Sequence, residues 1–230
     1  MEGGICLESN EVLFQIFGLN VTAEVTTMWG ILLVLVVVSF FATRHLEQRP
    51  KGLQNLLEMA VGALDNFISG LMGKEKAARF FPFFATMFIF IIVCNFIGIL
   101  PGAGMIPGFK APTSSLSVTA GLAIVVFVAI IVFGIRVVGV KHYLKHFLQP
   151  VAIMLPFIII DELVRPLSLA LRLYGNIFGE ESVTEQLYEL FPVGPPLIMM
   201  VMSLLFCTIQ AVVFTMLSAI YIDESTTLEE

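Results

Sequence analysis

Five long apolar stretches constrain the fold of this chain more than any other feature of its sequence. They cover residues 26–43, 80–100, 116–138, 147–179 and 196–222. A helix that crosses the hydrocarbon core of a bilayer needs about 20 predominantly apolar residues. Because 58% of the residues are hydrophobic and only 13% are charged, little material is left for a water-soluble domain. We therefore predict an all-α integral membrane protein with about five membrane-embedded helices, forming a single polytopic domain over residues 1–230.

The segment between the first two apolar stretches has a different pattern. Residues 51–72 place apolar side chains at helical spacing, while Gln54, Glu58, Asp65 and Asn66 fall on other faces. This pattern predicts an amphipathic interfacial helix that lies at the membrane surface or against partner helices. An ordinary connecting helix fits the same pattern, so both interpretations stand at this point.

Basic residues indicate the orientation of the chain, because cytoplasmic loops of membrane proteins carry an excess of lysine and arginine. Most of the 12 basic residues fall in the two connecting regions 44–79 and 136–145, whereas Lys110 alone lies in a loop on the opposite side. We therefore expect residues 1–25 to form an external N-terminal segment and the C-terminus to be cytoplasmic.

The residue types that usually hold metals or cofactors are scattered in this chain. Neither the cysteines nor the histidines have metal-ligand spacing, and we interpret the former as packing residues and the latter as interfacial. They are Cys6, Cys94, Cys207, His45, His142 and His146. The sequence also has no phosphate-binding glycine loop and no nucleophile motif. We therefore predict no cofactor, no metal, no nucleic-acid partner and no nucleotide chemistry in this chain.

An arginine inside the fourth apolar stretch needs a physical reason. An arginine at the bilayer centre costs about 2.5–3.5 kcal/mol on insertion scales, so such a residue is a functional candidate. Ser168 and Asn176 lie four residues before and after Arg172, and neither is a carboxylate. Arg172 must therefore find its partner on another helix or on another protein, unless it reaches an interface. Arg165 differs, because Asp161 and Glu162 precede it at the spacing of a helical ion pair.

The last two apolar stretches are too polar and too long for simple upright spans. Residues 147–179 would extend about 50 Å as a helix, against a hydrocarbon core of about 30 Å, so this stretch either folds back or is strongly tilted. Its polar side chains share one face when each residue turns the helix by about 100°. They are Asp161, Arg165, Ser168, Arg172 and Asn176. Glu162 lies about 80° from Arg172, and Glu181 lies nearly opposite.

The final apolar stretch carries an amide in hydrocarbon. A buried glutamine needs several hydrogen-bond partners, so we expect Gln210 to face water or another polar helix. Ser203 and the threonines of the same stretch can instead bond to the carbonyl four residues earlier.

Three motifs in this chain are similar to those of a known family. The run Pro166-Leu-Ser168-Leu-Ala-Leu-Arg172-Leu-Tyr-Gly-Asn176-Ile-Phe-Gly-Glu-Glu181, the triplet Ile209-Gln210-Ala211 and the run from Asn95 to Pro101 resemble the a subunit of the F-type ATP synthase membrane sector. The resemblance covers most of the chain after residue 50. It implies a stator subunit in a bacterial plasma membrane, with the c-subunit ring, the b subunits of the peripheral stalk, the rest of the complex and the lipid bilayer as partners.

The resemblance also implies roles for individual residues. Arg172 matches the family arginine that faces the ring carboxylates, prevents leak between two offset half-channels, and couples the flow of protons or sodium ions to rotation. Glu181 matches the carboxylate of the external half-channel. The other residues of the implied ion pathway are Glu162 as a candidate relay, Asn176, Gln210, Ser168 and Ser203. This chain departs from some members, which have a histidine in place of Ser203 and an aspartate in place of Ser115.

Two other functions fit an arginine in mid-membrane. A stand-alone secondary transporter would place its substrate site between inverted repeats with broken helices, and it would move solute when reconstituted alone. A purely structural scaffold for other membrane subunits would tolerate the loss of Arg172. A stator subunit, in contrast, should be inert without its ring.

Overall fold

The computed structural model describes residues 12–16, 19–44, 52–99, 111–140, 143, 155–190 and 194–227. Six helices account for most of them: α1 (Ala23–Thr43), α2 (Leu53–Met72), α3 (Lys74–Ile99), α4 (Leu116–Val138), α5 (Leu155–Leu190) and α6 (Pro195–Thr226). Two antiparallel strands, β1 (Val12–Ile16) and β2 (Leu19–Thr22), precede α1, and a 3-10 helix, Pro112–Ser114, precedes α4. The predicted all-α architecture is confirmed, apart from a strand pair that the sequence does not signal.

Four of these helices are long and apolar enough to cross a membrane. They are α1, α3, α4 and α6. α5 is not among them although it is the longest, because charged residues occur along its whole length. We expected about five membrane-embedded helices, and α5 is one of them. Its length and composition alone do not identify α5 as a membrane span.

Helix ends differ from the ends of the apolar stretches. α3 begins at Lys74, six residues before the expected start, and α5 continues to Leu190, eleven residues beyond the expected end. Apolar runs report the thickness of hydrocarbon, whereas a helix continues into polar surroundings as long as its backbone hydrogen bonds do. The expected segment 147–154 lies outside the described residues, as do Cys6, Lys110 and the three histidines.

α5 is one continuous helix that passes through Pro166 without folding back. Its 36 residues correspond to a length of about 54 Å, which exceeds the hydrocarbon thickness of about 30 Å. The fold-back alternative is therefore excluded for residues 155–190. The strong tilt that we expect for α5 and α6 stays a prediction.

The core lies where α3, α4, α5 and α6 pack together. Fully buried side chains from each helix meet there, including Phe84, Ile91, Val126, Ile130, Leu169, Leu173, Phe214 and Ile222. Leu169 and Leu173 are one turn apart, so one stripe of α5 faces this core while the stripe that carries Arg172 does not. Core packing thereby fixes the direction of the polar face of α5.

α2 is a helix over nearly the expected residues, and one of its faces is buried. Leu64, Ile68 and Met72 recur at four-residue spacing and pack toward α3 and α6, whereas Leu57 and Met59 are exposed. α2 thus packs against helices of its own chain. Its position relative to a membrane surface stays a prediction.

Two glycines permit close packing at opposite ends of the bundle. A Cβ atom on Gly98 of α3 would stand 2.8 Å from the Cβ of Ala111, and one on Gly134 of α4 would stand 2.7 Å from the Tyr143 ring. Both distances are shorter than van der Waals contact allows. These positions therefore hold the segments that flank α4 against the bundle.

Candidate functional site

The site is built between α5 and α6, which pack with their chain directions opposed. Contacts at three levels show this arrangement: Arg165 meets Glu224, Asn176 meets Gln210, and Glu180 meets Cys207. Residue numbers rise along α5 as they fall along α6. The polar groups of the two helices can therefore be followed in order from the C-terminal end of α6 to its N-terminal end.

Arg165 forms the centre of a charge cluster at the first of these levels. Its guanidinium lies 3.0 Å from Asp161, 3.8 Å from Glu162 and 2.9 Å from Glu224. The guanidinium also lies 5.2 Å from the centre of the Tyr221 ring, and the side chain is only 18% exposed. The predicted pairs within α5 are confirmed. Glu224 has no sequence signal, because it lies 59 residues away.

A second ion pair lies at the same end of the bundle. Lys76 of α3 donates from Nζ to Asp223 at 2.9 Å and to Thr227 at 2.8 Å, and so joins α3 to the last turn of α6. Tyr143 is buried nearby, and its pKa is raised by burial and by the charge of Glu162, against the lowering effect of Arg165. We call this set of charges around Lys76 and Arg165 the charged end.

Arg172 lies two turns farther along α5 and has different surroundings. Its side chain is exposed, and no salt bridge in the described part of the chain includes it. The prediction that Arg172 has no local carboxylate partner is therefore confirmed for these residues. This open position presents a positive charge to whatever covers it.

Asn176 and Gln210 form a hydrogen bond one turn beyond Arg172. Asn176 donates from Nδ2 to Gln210 Oε1 at 2.7 Å. Gln210 is 3% exposed, and its Nε2 has no hydrogen-bond partner among the described residues. The expectation that Gln210 faces a polar helix is met, and one donor remains available at this level.

The remaining predicted site residues lie at different depths. Ser168 is half-buried one turn before Arg172, and Glu162 is half-buried beside Arg165. Ser203 is buried on α6, on the same stripe as Cys207 and Gln210. Glu181 is exposed. Of the predicted set, the structure brings Asn176 and Gln210 into direct contact, while the others are distributed along the two helices.

Two further polar residues lie beside this site. Glu180 Oε2 is 4.0 Å from Cys207 Sγ, and Asn95 of α3 donates to the Cys207 carbonyl at 3.5 Å. A signal for Glu180 was present in the sequence, because it follows Asn176 by four residues and so lies one turn along the same side of α5. Asn95 has no such signal, since its position depends on how α3 packs.

Within the described ranges, no three histidine, cysteine or acidic side chains converge in a way that could hold a metal ion. Cys94 and Cys207 are buried free thiols. The arrangement offers a positive charge, hydrogen-bonding amides and carboxylates.

Both helices also expose large apolar side chains. They include Leu167, Leu171, Phe178, Val201, Leu205 and Ile209. Surfaces that face water rarely expose so many large apolar groups, so lipid or a protein partner must cover them. Arg172 thus lies on a helix that combines an exposed charge with exposed apolar side chains.

Known proteins resemble this chain over most of its length. The family model described as ATP synthase A chain matches residues 25–223. ATP synthase subunit a of Moorella thermoacetica is 39% identical over 210 residues, which cover 91% of this chain and 93% of the relative. The subunit a proteins of Geobacter sulfurreducens and Trichlorobacter lovleyi are 42% and 43% identical, over 88% and 95% of this chain and 86% and 92% of their own lengths.

These matches span both helices of the site, including Arg172, Asn176, Glu181 and Gln210. They agree with the helical architecture and with four helices that are long and apolar enough to cross a membrane. The resemblance noted from the sequence motifs is thereby confirmed. The chain belongs to the ATP synthase A chain family.

Proposed function

We propose that this chain is the stator subunit that carries ions to and from the carboxylates of a rotating c-subunit ring. As a member of its family, and with bacterial relatives, the chain is a bacterial membrane protein that works in a complex with other ATP synthase subunits. Arg172 carries the proposal. It is an exposed arginine on α5, and no salt bridge among the described residues includes it.

The proposed role of Arg172 follows from its charge. A carboxylate of the ring can enter lipid only when a proton or a sodium ion neutralises it, because a bare charge in hydrocarbon is costly. Beside Arg172 the same carboxylate is stable in its ionised form. Arg172 therefore makes each ring carboxylate release its ion on arrival, and it separates the two access routes so that ions do not leak between them.

The two routes would lie on opposite sides of Arg172 along α5. Glu181, Ser203 and the hydrogen-bonded Asn176–Gln210 pair would line the external half-channel. Ser168 and Glu162 would line the cytoplasmic one, which opens at the charged end. The support is their order along α5 and α6, with Arg172 between the two groups. Ions then reach the ring on one side and leave it on the other.

The charged end supports the proposed orientation. Four cations of the two basic connecting regions belong to the first turns of α3 or the last turn of α4: Lys74, Lys76, Arg79 and Arg136. The last turn of α6 lies at the same end, since Lys76 contacts Asp223. Under the positive-inside rule this end is cytoplasmic, so the C-terminus is cytoplasmic and the N-terminus external.

Two apolar surfaces suit the proposed protein partners. The apolar side chains that α5 and α6 expose, together with Arg172, would face the c-subunit ring. α1 contacts α3 and exposes side chains such as Val36, Phe40 and Phe41 at its periphery. This second surface is available to lipid and to the b subunits of the peripheral stalk.

Replacing Arg172 tests the proposal directly. In membrane vesicles that carry the whole ATP synthase, we expect Arg172→Ala to abolish ATP-driven ion pumping while the complex still assembles, because the ring carboxylate loses the counter-charge that Arg172 supplies. Pumping is measured by quenching of a pH-sensitive fluorescent amine, with and without sodium. Arg136→Ala, which removes an exposed arginine at the charged end, is the matched control and should pump normally. Normal pumping by the Arg172→Ala enzyme would refute the proposal.

A further inference from the structure

Three helices converge on Cys207 of α6. From α3, the Asn95 side chain donates to the Cys207 carbonyl, and from α5 the Glu180 carboxylate approaches the Cys207 thiol. Asn95 is 1% exposed and Cys207 is 2% exposed. Polar groups from separate helices thus meet in the interior, one level beyond the Asn176–Gln210 pair.

Two oxygen atoms at this junction have no hydrogen-bond partner among the residues that the structure describes. They are Glu180 Oε1 and Asn95 Oδ1, and both are buried. A buried acceptor without a donor costs about 1–3 kcal/mol, and native structures satisfy most such atoms with protein groups or ordered water. When Glu180 is ionised, both atoms only accept hydrogen bonds, so their donor must come from outside the pair.

A water molecule or a hydrated proton meets this requirement. A hydronium ion only donates hydrogen bonds, so it suits a carboxylate oxygen and an amide oxygen beside the same residue. Buried waters in proteins typically make about three hydrogen bonds to polar groups that would otherwise be unsatisfied. The unpaired donor of Gln210 lies one turn from Cys207 on α6 and can bond to a neighbouring water.

The position of Glu180 places this junction on a path toward Arg172. Arg172, Asn176 and Glu180 follow one another at four-residue spacing, which is about 6 Å along a helix. Each of these side chains is rotated by about 40° about the helix axis from the one before it. Glu181 is exposed, in contrast to the buried Oε1 of Glu180. Among the described residues, Cys207 and Glu181 carry titratable groups near Glu180.

We propose that Glu180 and Asn95 form a hydrated proton station at Cys207, through which protons pass between Glu181 and the Asn176–Gln210 pair. The inference rests on the proposed function and deepens it. When protons move from Glu181 toward the Asn176–Gln210 pair, a hydronium ion gives one proton to the Glu180 carboxylate. This transfer leaves water and a neutral carboxylic acid. The acid then returns that proton to a water on the Gln210 side, and no other reactant is consumed.

Glutamine substitution separates this role from packing, since Glu180→Gln keeps the shape of the side chain but cannot carry a proton. In vesicles with the whole enzyme, we expect Glu180→Gln to slow ATP-driven pumping about tenfold or more, and Glu180→Asp to recover part of the loss. Glu181→Gln, at the exposed neighbour, should slow pumping only about threefold, because water can take the place of an exposed carboxylate. Assembly is checked by the amount of complex in the membrane.

These variants also distinguish the station from the broader function. Pumping at the native rate by Glu180→Gln, together with loss of pumping in Arg172→Ala, would overturn the station and leave the stator role intact. Normal pumping by both variants would overturn both.

The native thiol provides a second test that does not depend on a Glu180 variant folding. If the junction is hydrated, silver ions supplied in the water phase should reach Cys207 and block pumping, even though this residue is buried. We expect silver to inhibit the native enzyme at least about tenfold more strongly than the Cys207→Ala enzyme, each relative to its own rate without silver. Equal inhibition of both would show that water-borne ions do not reach the junction.

Discussion

Arg165 and Arg172 lie two turns apart on nearly the same face of α5, yet their surroundings are opposite. Arg165 is largely buried among three carboxylates and an aromatic ring, whereas Arg172 is exposed and has no ion pair within the described residues. One charge is neutralised by its own chain and the other requires a partner. The difference separates a residue that holds two helices together from a residue that, in the proposed function, acts on another protein.

The largest expected difference concerns the substitution of lysine for each arginine. Lysine can lose its proton when it is desolvated, and it lacks the planar fork of arginine. We therefore expect Arg172→Lys to reduce coupled ATP synthesis about tenfold or more, because a neutral amine cannot hold a ring carboxylate ionised.

Arg165→Lys is the matched control in this comparison. It keeps a cation among three carboxylates that favour the charged form, so we expect it to retain at least about half of the native rate. Synthesis driven by an imposed ion gradient is the measurement for both variants. Equal losses at the two positions would remove the distinction between the two arginines.

An intermediate effect is expected on stability at the charged end. Arg165→Ala leaves Glu162 and Glu224 without their shared cation, and hydrogen bonds to charged groups contribute about 1.5–3 kcal/mol. The lower part of this range applies, since the Glu224 side chain is 55% exposed. Thermal unfolding of the detergent-solubilised complex should therefore occur at a lower temperature, with loss of the contact between α5 and α6 as the cause.

Charge exchange tests the origin of that effect. Arg165→Glu alone should destabilise more than Arg165→Ala, because four carboxylates would then lie together. Addition of Glu224→Arg should recover part of the loss, by an interaction energy of about 0.5–3 kcal/mol in a double-mutant cycle. Purely additive effects would mean that the observed pair contributes nothing specific.

The smallest effect is expected for the pair between Lys76 and Asp223. Their side chains are 34% and 31% exposed, and pairs in contact with water contribute about 0.2–1 kcal/mol. Lys76→Ala should therefore change the unfolding temperature only slightly, and added salt should reduce the difference further. A loss as large as that of Arg165→Ala would show that this pair, rather than Arg165, fixes the end of α6.

Sequence patterns predicted what depends on local spacing. The helices, the pairs of Arg165 with Asp161 and Glu162, and the absence of a carboxylate one turn from Arg172 all follow from residues within about one helical turn. Glu224 and Asn95 could not be predicted in this way, because their places depend on how distant helices pack. The motif also directed attention to Glu181, whereas helical phase places the neighbouring Glu180 nearer to the side of Asn176.

Gly175 and Gly179 lie on the exposed part of α5 beside Arg172, and a Cβ atom at either position would have no neighbouring atom within 4 Å. The helix surface there has low relief over a full turn. Interlocking side chains hold two helices in one register. If the helices moved past one another, these side chains would have to separate and re-engage at each step. A smooth strip beside the fixed charge would lower the friction for the proposed c-subunit ring, which presents one identical helix after another.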